Sequence, residues 1–464
     1  MIRIFKVFVP TSVIALLLSE TVLILACYVI ASFFVLDVDP QIFLLYDNGL
    51  WRIGIVVVCL MIGIYFHDLY TKFRIKSRIV LVQQLCLVVG IAFLTQALLS
   101  YLRLQEWSLP KWLMIWGSAL TLIFLPAWRV IYSSFVLKAF GSERVLFLGT
   151  SQSVREIAAY FAEHPENGVG SIGYVDDVCD CESDLPAGKL VGRMEDLARV
   201  VNETRPDRIV VGMSERRQRL PVQQLLELRF SGIHIEEAQS AYEATFGRVC
   251  LRDIRPSQLI FSAELGPNPR KVYWQTIYSL AIAVLAVILA SPVMLLVALT
   301  VRLTSRGPVL YRQKRVGKGD EVFVLYKFRS MYAEAEAGSG AVWAKKDDPR
   351  ITPIGKWLRR LRLDELPQLL NVVRGEMSIV GPRPERPEFV KELEKKVPYY
   401  RQRHCVKPGI TGWAQINHKY GDTLEDTITK LEYDLYYIKN LAPSLDAYII
   451  FHTAKVMLLF RGAQ

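Results

Sequence analysis

The chain has 464 residues, is 52% hydrophobic and carries a formal net charge of +11. A mean hydropathy of +0.25 excludes an ordinary soluble enzyme and makes membrane segments the first expectation. Seven cysteines form no CxxC pair and no regular framework, which argues against a zinc site or a disulfide scaffold and fits a reducing compartment.

Four long apolar stretches open the chain: Val9–Leu36, Ile53–Phe66, Ile79–Leu102 and Trp112–Leu137. Three exceed the ~20 residues that cross a bilayer core. The second reaches spanning length when counted from Leu50, with Arg52 included. The first is too long for a signal peptide and has no small-residue cleavage site after it. Basic residues mark alternate ends: Arg3 and Lys6, then Lys72, Arg74, Lys76 and Arg78, then Arg129, Lys138 and Arg144. The first loop carries Asp37, Asp39 and Asp47, and the third is mixed, with Arg103, Glu106 and Lys111. This asymmetry predicts a cytoplasmic N-terminus and a cytoplasmic location for the chain beyond residue 140.

Residues 144–240 alternate in a βαβ rhythm. Strands are predicted at Arg144–Thr150, Gly173–Asp176, Arg208–Met213 and Ile233–Glu236, with helices at Ser153–His164 and Leu220–Ser231. This is the signature of a doubly wound parallel sheet. A dinucleotide fingerprint needs G-x-G-x-x-G, so that the backbone can approach a pyrophosphate. Only Gly149 of that set is present, although Asp176 and Asp177 are able to hydrogen-bond a ribose. The middle region is therefore expected to be structural or regulatory. A membrane-bound nucleotide-sugar dehydratase using a nicotinamide cofactor would also need Tyr-x-x-x-Lys, and no tyrosine here is followed four residues later by lysine.

The fifth apolar stretch, Trp274–Val301, has basic flanks on both sides, Arg270 and Lys271 before it and Arg302 and Arg306 after it. A spanning helix would place one flank outside. A re-entrant helix that breaks at Ser291-Pro292 and returns would keep both inside. Proline frees the carbonyl four residues back, and the Ser291 hydroxyl is placed to satisfy it. On the residues alone both readings stand.

From Arg302 to Arg329 the chain is strongly basic. Snorkelling at a membrane surface explains part of this. Lys327 and Arg329, however, sit in YKFRSM (326–331), where strand alternation sends both to one face, suited to a diphosphate. Basic residues clustered beside membrane segments argue against nucleic acid. Next comes LDELPQL (363–369), preceded by Lys356, Arg359, Arg360 and Arg362. Pro367 belongs near a helix start. Adjacent carboxylates on a helix face are usually just solvated. Asp364-Glu365 among cations, with an apolar border, instead suits metal-assisted phosphoryl transfer, one carboxylate attacking phosphorus. MSIVGPRP (377–384) holds Arg383 between two prolines. KPGITGWAQ (407–415) adds Lys407, a hydroxyl and glycines whose amides are suited to cradle phosphate, or to form a simple turn. Near the end, Leu424, Ile428, Leu431, Leu435 and Ile438 recur at helical spacing, with Asp434 on the polar side, and Ala447–Phe460 suits an interfacial helix.

These four motifs, in this order after an apolar Ser-Pro segment, resemble the bacterial sugar transferase family, the polyprenyl-phosphate hexose-1-phosphate transferases also called monotopic phosphoglycosyl transferases. The catalytic resemblance spans residues 268–464, and four helices with a Rossmann-like middle resemble its large branch. The fold it implies is a membrane α-helical bundle (1–140), an α/β Rossmann-like, CoA-binding-like domain (141–267) and an α/β catalytic domain (268–464) anchored by a re-entrant helix at 274–301. The resemblance implies transfer of a hexose-1-phosphate from a UDP-sugar to undecaprenyl phosphate, releasing UMP, at the start of exopolysaccharide, capsule or O-antigen synthesis. It assigns Asp364 as the nucleophile that forms a covalent phosphosugar and binds Mg2+, and Glu365 as its partner. It assigns Lys327, Arg329 and Arg383 to the phosphates and Ser291-Pro292 to the helix break; Lys407, Arg362 and Asp434 join them as candidates for substrate binding. A homodimer in the bacterial inner membrane, its catalytic domain on the cytoplasmic face, is the corresponding assembly. A non-enzymatic subunit of a polysaccharide export machine is the alternative that turnover would exclude.

Overall fold

The computed structural model describes the chain except residues 1, 5, 6, 38, 71–77, 103–105, 134–142, 166, 167, 178–184, 187, 214–219, 254–265, 267, 333–347, 419–422 and 459–464. Lys6, Lys72, Arg74, Lys76, Arg103, Lys138, Cys179 and Cys181 lie outside the described residues, as does the side chain of Arg78. The chain forms two compact units, divided at residues 237 and 238, with residues 3–8 joining the second.

In the first unit, four helices have the length and apolarity to cross a membrane: Thr11–Val35, Gly49–Phe66, Ile79–Tyr101 and Lys111–Ile131. Large apolar side chains such as Leu18, Val22, Leu94 and Ile123 face outward, while Ile24, Ile53, Leu60 and Leu85 are fully buried. Outward apolar faces suit lipid, not water. Trp51, Trp107 and Trp112 are exposed together near one end of the helices, as an interfacial aromatic belt requires. Arg129 departs from the sequence expectation. It is not a free basic flank but lies buried inside the fourth helix, its guanidinium on Glu20 at 2.5 and 3.0 Å. Tyr70 also donates to Glu20 (2.7 Å), and Arg129 donates to the Leu69 carbonyl (3.0 Å). A buried ion pair survives only when both charges are satisfied, and removing one partner typically costs about 3–5 kcal/mol. Glu20→Ala should therefore lower the thermal midpoint of the purified protein sharply, and adding Arg129→Ala should recover part of the loss. A double variant less stable than the single one would contradict this coupling.

The middle of the first unit is a parallel five-stranded sheet. Its spatial order is Leu190–Gly192, Val169–Val175, Glu143–Leu148, Arg208–Val211 and His234–Glu237. This is the 3-2-1-4-5 order of a Rossmann-like sheet. Sequence periodicity missed the short strand Leu190–Gly192 and the helix Leu197–Thr204 after it. The first turn is closed by its own side chains. Thr150 donates to Asp176 (2.6 Å), Arg155 donates to the Thr150 carbonyl (3.0 Å), and Asp177 accepts from the Met194 amide (2.9 Å). Both candidate ribose acceptors are thus engaged within the fold.

The second unit begins at the helix Ala238–Phe246. The helix Pro269–Thr304 comes next, started by Asn268, which accepts from the Arg270 amide (3.0 Å), and by Pro269 at the first turn. It is one continuous helix with Pro292 inside, rather than two segments parted by a chain break. Ser291 Oγ donates to the Ile288 carbonyl (2.8 Å), the group that Pro292 leaves without a donor. An antiparallel hairpin, Leu310–Val316 with Val322–Phe328, leads to the helices Pro353–Arg360 and Gln368–Val373. The short strands Ser378–Val380 and Gly409–Thr411 pair in parallel. The closing helices are Leu424–Lys439 and Pro443–Leu458. The first of these buries Leu431, Leu435 and Ile438 and so belongs to the core, and the second buries Leu445 and Ile449 while exposing Phe451 and Met457.

Candidate active site

Asp364 and Glu365 occupy a tight turn, Leu363–Glu365, between two helices. Arg362 adopts a left-handed conformation (φ 53°) to make the corner, and Pro367 starts the next helix. Asn371 fixes that helix to the hairpin. Its amide donates to the Val324 carbonyl (2.7 Å) and its carbonyl oxygen accepts from the Tyr326 amide (3.1 Å). Register on the strand therefore brings Lys327 opposite Glu365. Sequence reading passed over Asn371; the available signal was a lone amide in the apolar run LLNVV (369–373).

The two carboxylates have opposite surroundings. Glu365 accepts from Arg383 (2.9 Å) and Lys327 (3.2 Å), and Arg362 stands 3.9 Å from its other oxygen. Burial acts to raise its pKa, but Arg383, Lys327 and Arg362 outweigh burial and hold it well below the usual carboxylate range. Asp364 is buried and makes no hydrogen bond or ion pair with its side chain among the described residues. Burial, then the charge of Glu365, raises its pKa, against Lys327, Arg359 and Arg383. One carboxylate organises three cations. The other is left available beside them.

Arg383 is placed from behind. Arg403 donates to the Arg383 carbonyl (2.9 Å), forms an ion pair with Asp434 (2.8 Å) and donates to the Tyr400 hydroxyl (2.7 Å). Asp434 is buried, not on a polar face as its spacing implied, and burial raises its pKa to about 6 against the pull of Arg403. Gly381, Gly409 and Gly412 serve close approach. A Cβ on Gly409 would lie 2.1 Å from the Gly381 nitrogen, and one on Gly412 would lie 2.3 Å from the Gly381 oxygen. The Gly409 amide donates to the Pro382 carbonyl (3.0 Å) and the Gly381 amide to the Thr411 carbonyl (2.9 Å). These two amides hold the Arg383 loop. Gly409→Ala should cost about 3 kcal/mol through overpacking; an unchanged melting midpoint would contradict the close contact.

Residues 270–460 match the bacterial sugar transferase family, and residues 65–236 match a CoA-binding domain. A UDP-glucose:undecaprenyl-phosphate glucose-1-phosphate transferase of Klebsiella pneumoniae is 34% identical over 339 residues, 71% of this chain and 70% of that protein. The chain belongs to the bacterial sugar transferase family. A UDP-N-acetylgalactosamine-undecaprenyl-phosphate N-acetylgalactosaminephosphotransferase of Aeromonas hydrophila is 44% identical over 222 residues, 48% of this chain and 52% of that protein. An undecaprenyl-phosphate glucose phosphotransferase of Komagataeibacter xylinus is 45% identical over 191 residues, 40% of this chain and 36% of that protein. The matched stretch thus spans about half of the Aeromonas relative and about a third of the Komagataeibacter one.

Within this bacterial sugar transferase the remaining candidate residues divide. Arg329 lies two positions beyond Lys327 but meets Ser305 instead of Glu365. Lys407 lines a cavity with Gln275, Ser279 and Arg374. That cavity borders the end of helix Gln368–Val373 opposite to Asp364. Asp320, Glu394 and His404 place three ligand atoms within 4.8 Å and so make a possible metal cluster. Arg401 already contacts both acids, at 3.0 Å to Asp320 and 3.6 Å to Glu394. The cluster sits at the turn of the hairpin, and Lys327 lies five residues up the strand from Val322, roughly 17 Å away at strand rise.

Proposed function

We propose that this protein transfers a hexose-1-phosphate from a UDP-sugar to undecaprenyl phosphate, giving undecaprenyl-diphosphate-sugar and UMP, as the first committed step of a surface polysaccharide. The carrying observation is the asymmetry of the pair: Asp364 buried with no ion partner among the described residues, Glu365 holding Arg383 and Lys327. An Asp364 oxygen attacks the sugar-bearing phosphorus, the bond to the bridging oxygen breaks, and UMP leaves with that oxygen. A phosphate oxygen of the acceptor lipid then attacks the same phosphorus and displaces the carboxylate. Lys327, Arg362 and Arg383 neutralise charge on the diphosphate. Asp364, with the donor phosphates, would hold Mg2+, which supplies further charge neutralisation. The test is UMP release in lipid nanodiscs with undecaprenyl phosphate and a panel of UDP-sugars, since the relatives' names differ in the sugar. A protein that releases no UMP with any donor would overturn the reading.

The membrane arrangement proposed is four spanning helices, a Rossmann-like middle region at 141–267 and a catalytic region at 268–464 with a re-entrant anchor, all soluble parts cytoplasmic. Two contacts support re-entry. Gln275 and Ser279 bond Val380 and Ser378, while Val297 and Val301 pack with Phe328 and Leu358. A straight helix would separate Gln275 from Val301 by about 39 Å, yet Leu366 borders the core clusters at both ends. A bend at Ser291-Pro292 reconciles these. Single cysteines introduced at Lys271 and Arg306 should both react with an impermeant thiol reagent from the cytoplasmic side only; labelling of either from outside would establish a spanning helix. Homodimerisation is part of the same proposal, and a monomeric mass in nanodiscs would remove it.

A further inference from the structure

Arg329 is 5% exposed, yet its Nε and one terminal nitrogen have no hydrogen-bond partner. Its other terminal nitrogen donates to the Ser305 carbonyl (2.8 Å) and hydroxyl (2.7 Å). A buried guanidinium with unmet donors is costly, because each desolvated donor loses its water. No carboxylate meets it among the described residues. The charge that acts on it is that of another cation, Arg302, in the last turn of the membrane helix. A buried guanidinium with open donors and a second cation acting on it is suited to hold an anion. The place in the fold selects the anion. Ser305 ends the helix Pro269–Thr304, whose residues Leu295, Leu296 and Leu299 are exposed, as a lipid-facing surface requires. With that face in lipid, an anion held at the helix end would lie at headgroup depth, within reach of a lipid phosphate. Arg329 also adjoins the reaction centre, because its neighbour Ser330 accepts from Arg359 (2.9 Å), whose charge acts on Asp364.

We propose that Arg329, with Arg302 and Ser305, binds the phosphate monoester of the acceptor lipid, apart from the cations that meet Glu365 and serve the donor. This rests on the transferase reading and divides its two half-reactions between two sets of cations. Arginine suits the task because its planar fork offers several donors to one phosphate, which lysine does not.

The experiment uses the full chain in phosphatidylcholine nanodiscs, as wild type, Arg329→Gln, Arg329→Lys and Arg302→Gln. A fluorescent polyprenyl phosphate reports acceptor binding by anisotropy, with phosphatidylglycerol as competitor. A stoichiometric burst of UMP without acceptor reports the donor half. Arg329→Gln should weaken polyprenyl phosphate binding roughly tenfold or more, the worth of a charge-assisted hydrogen bond. Its UMP burst should stay within about twofold of wild type, and Arg329→Lys should recover part of the binding. Arg302 is exposed, so Arg302→Gln gives the same test, with a smaller loss expected, should Arg329→Gln not fold. Unchanged acceptor binding would overturn the proposal. So would a lost burst with intact acceptor binding, which assigns Arg329 to the donor. Phosphatidylglycerol competing as well as the polyprenyl phosphate would mark a structural phospholipid seat and overturn it too. If wild type gives no burst with any UDP-sugar, the transferase reading fails, while the anisotropy arm still decides whether Arg329 seats a polyprenyl phosphate.

Discussion

Asp364→Asn should reduce UMP release by ~10⁴-fold or more, the scale on which enzymes lose rate when a covalent nucleophile is removed. The carboxamide keeps the shape and fills the same volume but cannot donate an electron pair to phosphorus as a carboxylate does. The fold should be unaffected. Asp364 holds no ion pair among the described residues, and a neutral group beside Glu365 relieves repulsion between two adjacent acids. The check is UMP release alongside a melting curve. Residual activity of a few per cent in a sample free of wild-type protein would move the nucleophile elsewhere, Glu365 being next in line.

Glu365→Gln should lower kcat/KM by roughly 10²–10³-fold, because truncating a buried hydrogen-bonded charge commonly costs about 2–5 kcal/mol. Lys327 and Arg383 lose the carboxylate that gathers them. The pH profile separates this from simple damage. On the proposed mechanism activity needs Asp364 ionised, and burial together with the charge of Glu365 raises the Asp364 pKa. The wild-type acid limb should therefore lie above the ordinary carboxylate range, with activity lost as pH falls through it. Removing the Glu365 charge lowers that pKa, so the limb of the variant should move to lower pH. A limb that stays in place would show that the two carboxylates do not sense each other.

How much of this was legible in the sequence depends on the range of each interaction. The Asp364-Glu365 turn and its leading cations are local, and so is the Ser291 hydroxyl over the Pro292 gap. The long apolar helices come from composition alone. The division of labour within the pair was hidden. Arg383 and Lys327 reach Glu365 across 18 and 38 residues, and strand register decides which carboxylate they meet. Arg129 read as a basic flank because its partner Glu20 lies 109 residues away. Asp434 sits at a polar position of its helix by spacing, yet Arg403 covers it in the fold. The Gly409 amide looked free for phosphate until the two short strands paired.

The crowding of cations around one glutamate has a kinetic consequence. Lys327, Arg362 and Arg383 outnumber Asp364 and Glu365 even when both acids are ionised. On the proposed mechanism this cluster attracts the polyanionic donor. Capture of the donor should weaken as ionic strength rises, because screening shortens the reach of that field. On the proposed mechanism UMP must escape the same field after the first bond breaks, still carrying negative charge. Added salt should thus slow the loading of the enzyme and hasten the departure of its first product, giving turnover a maximum at intermediate ionic strength wherever that departure limits the rate.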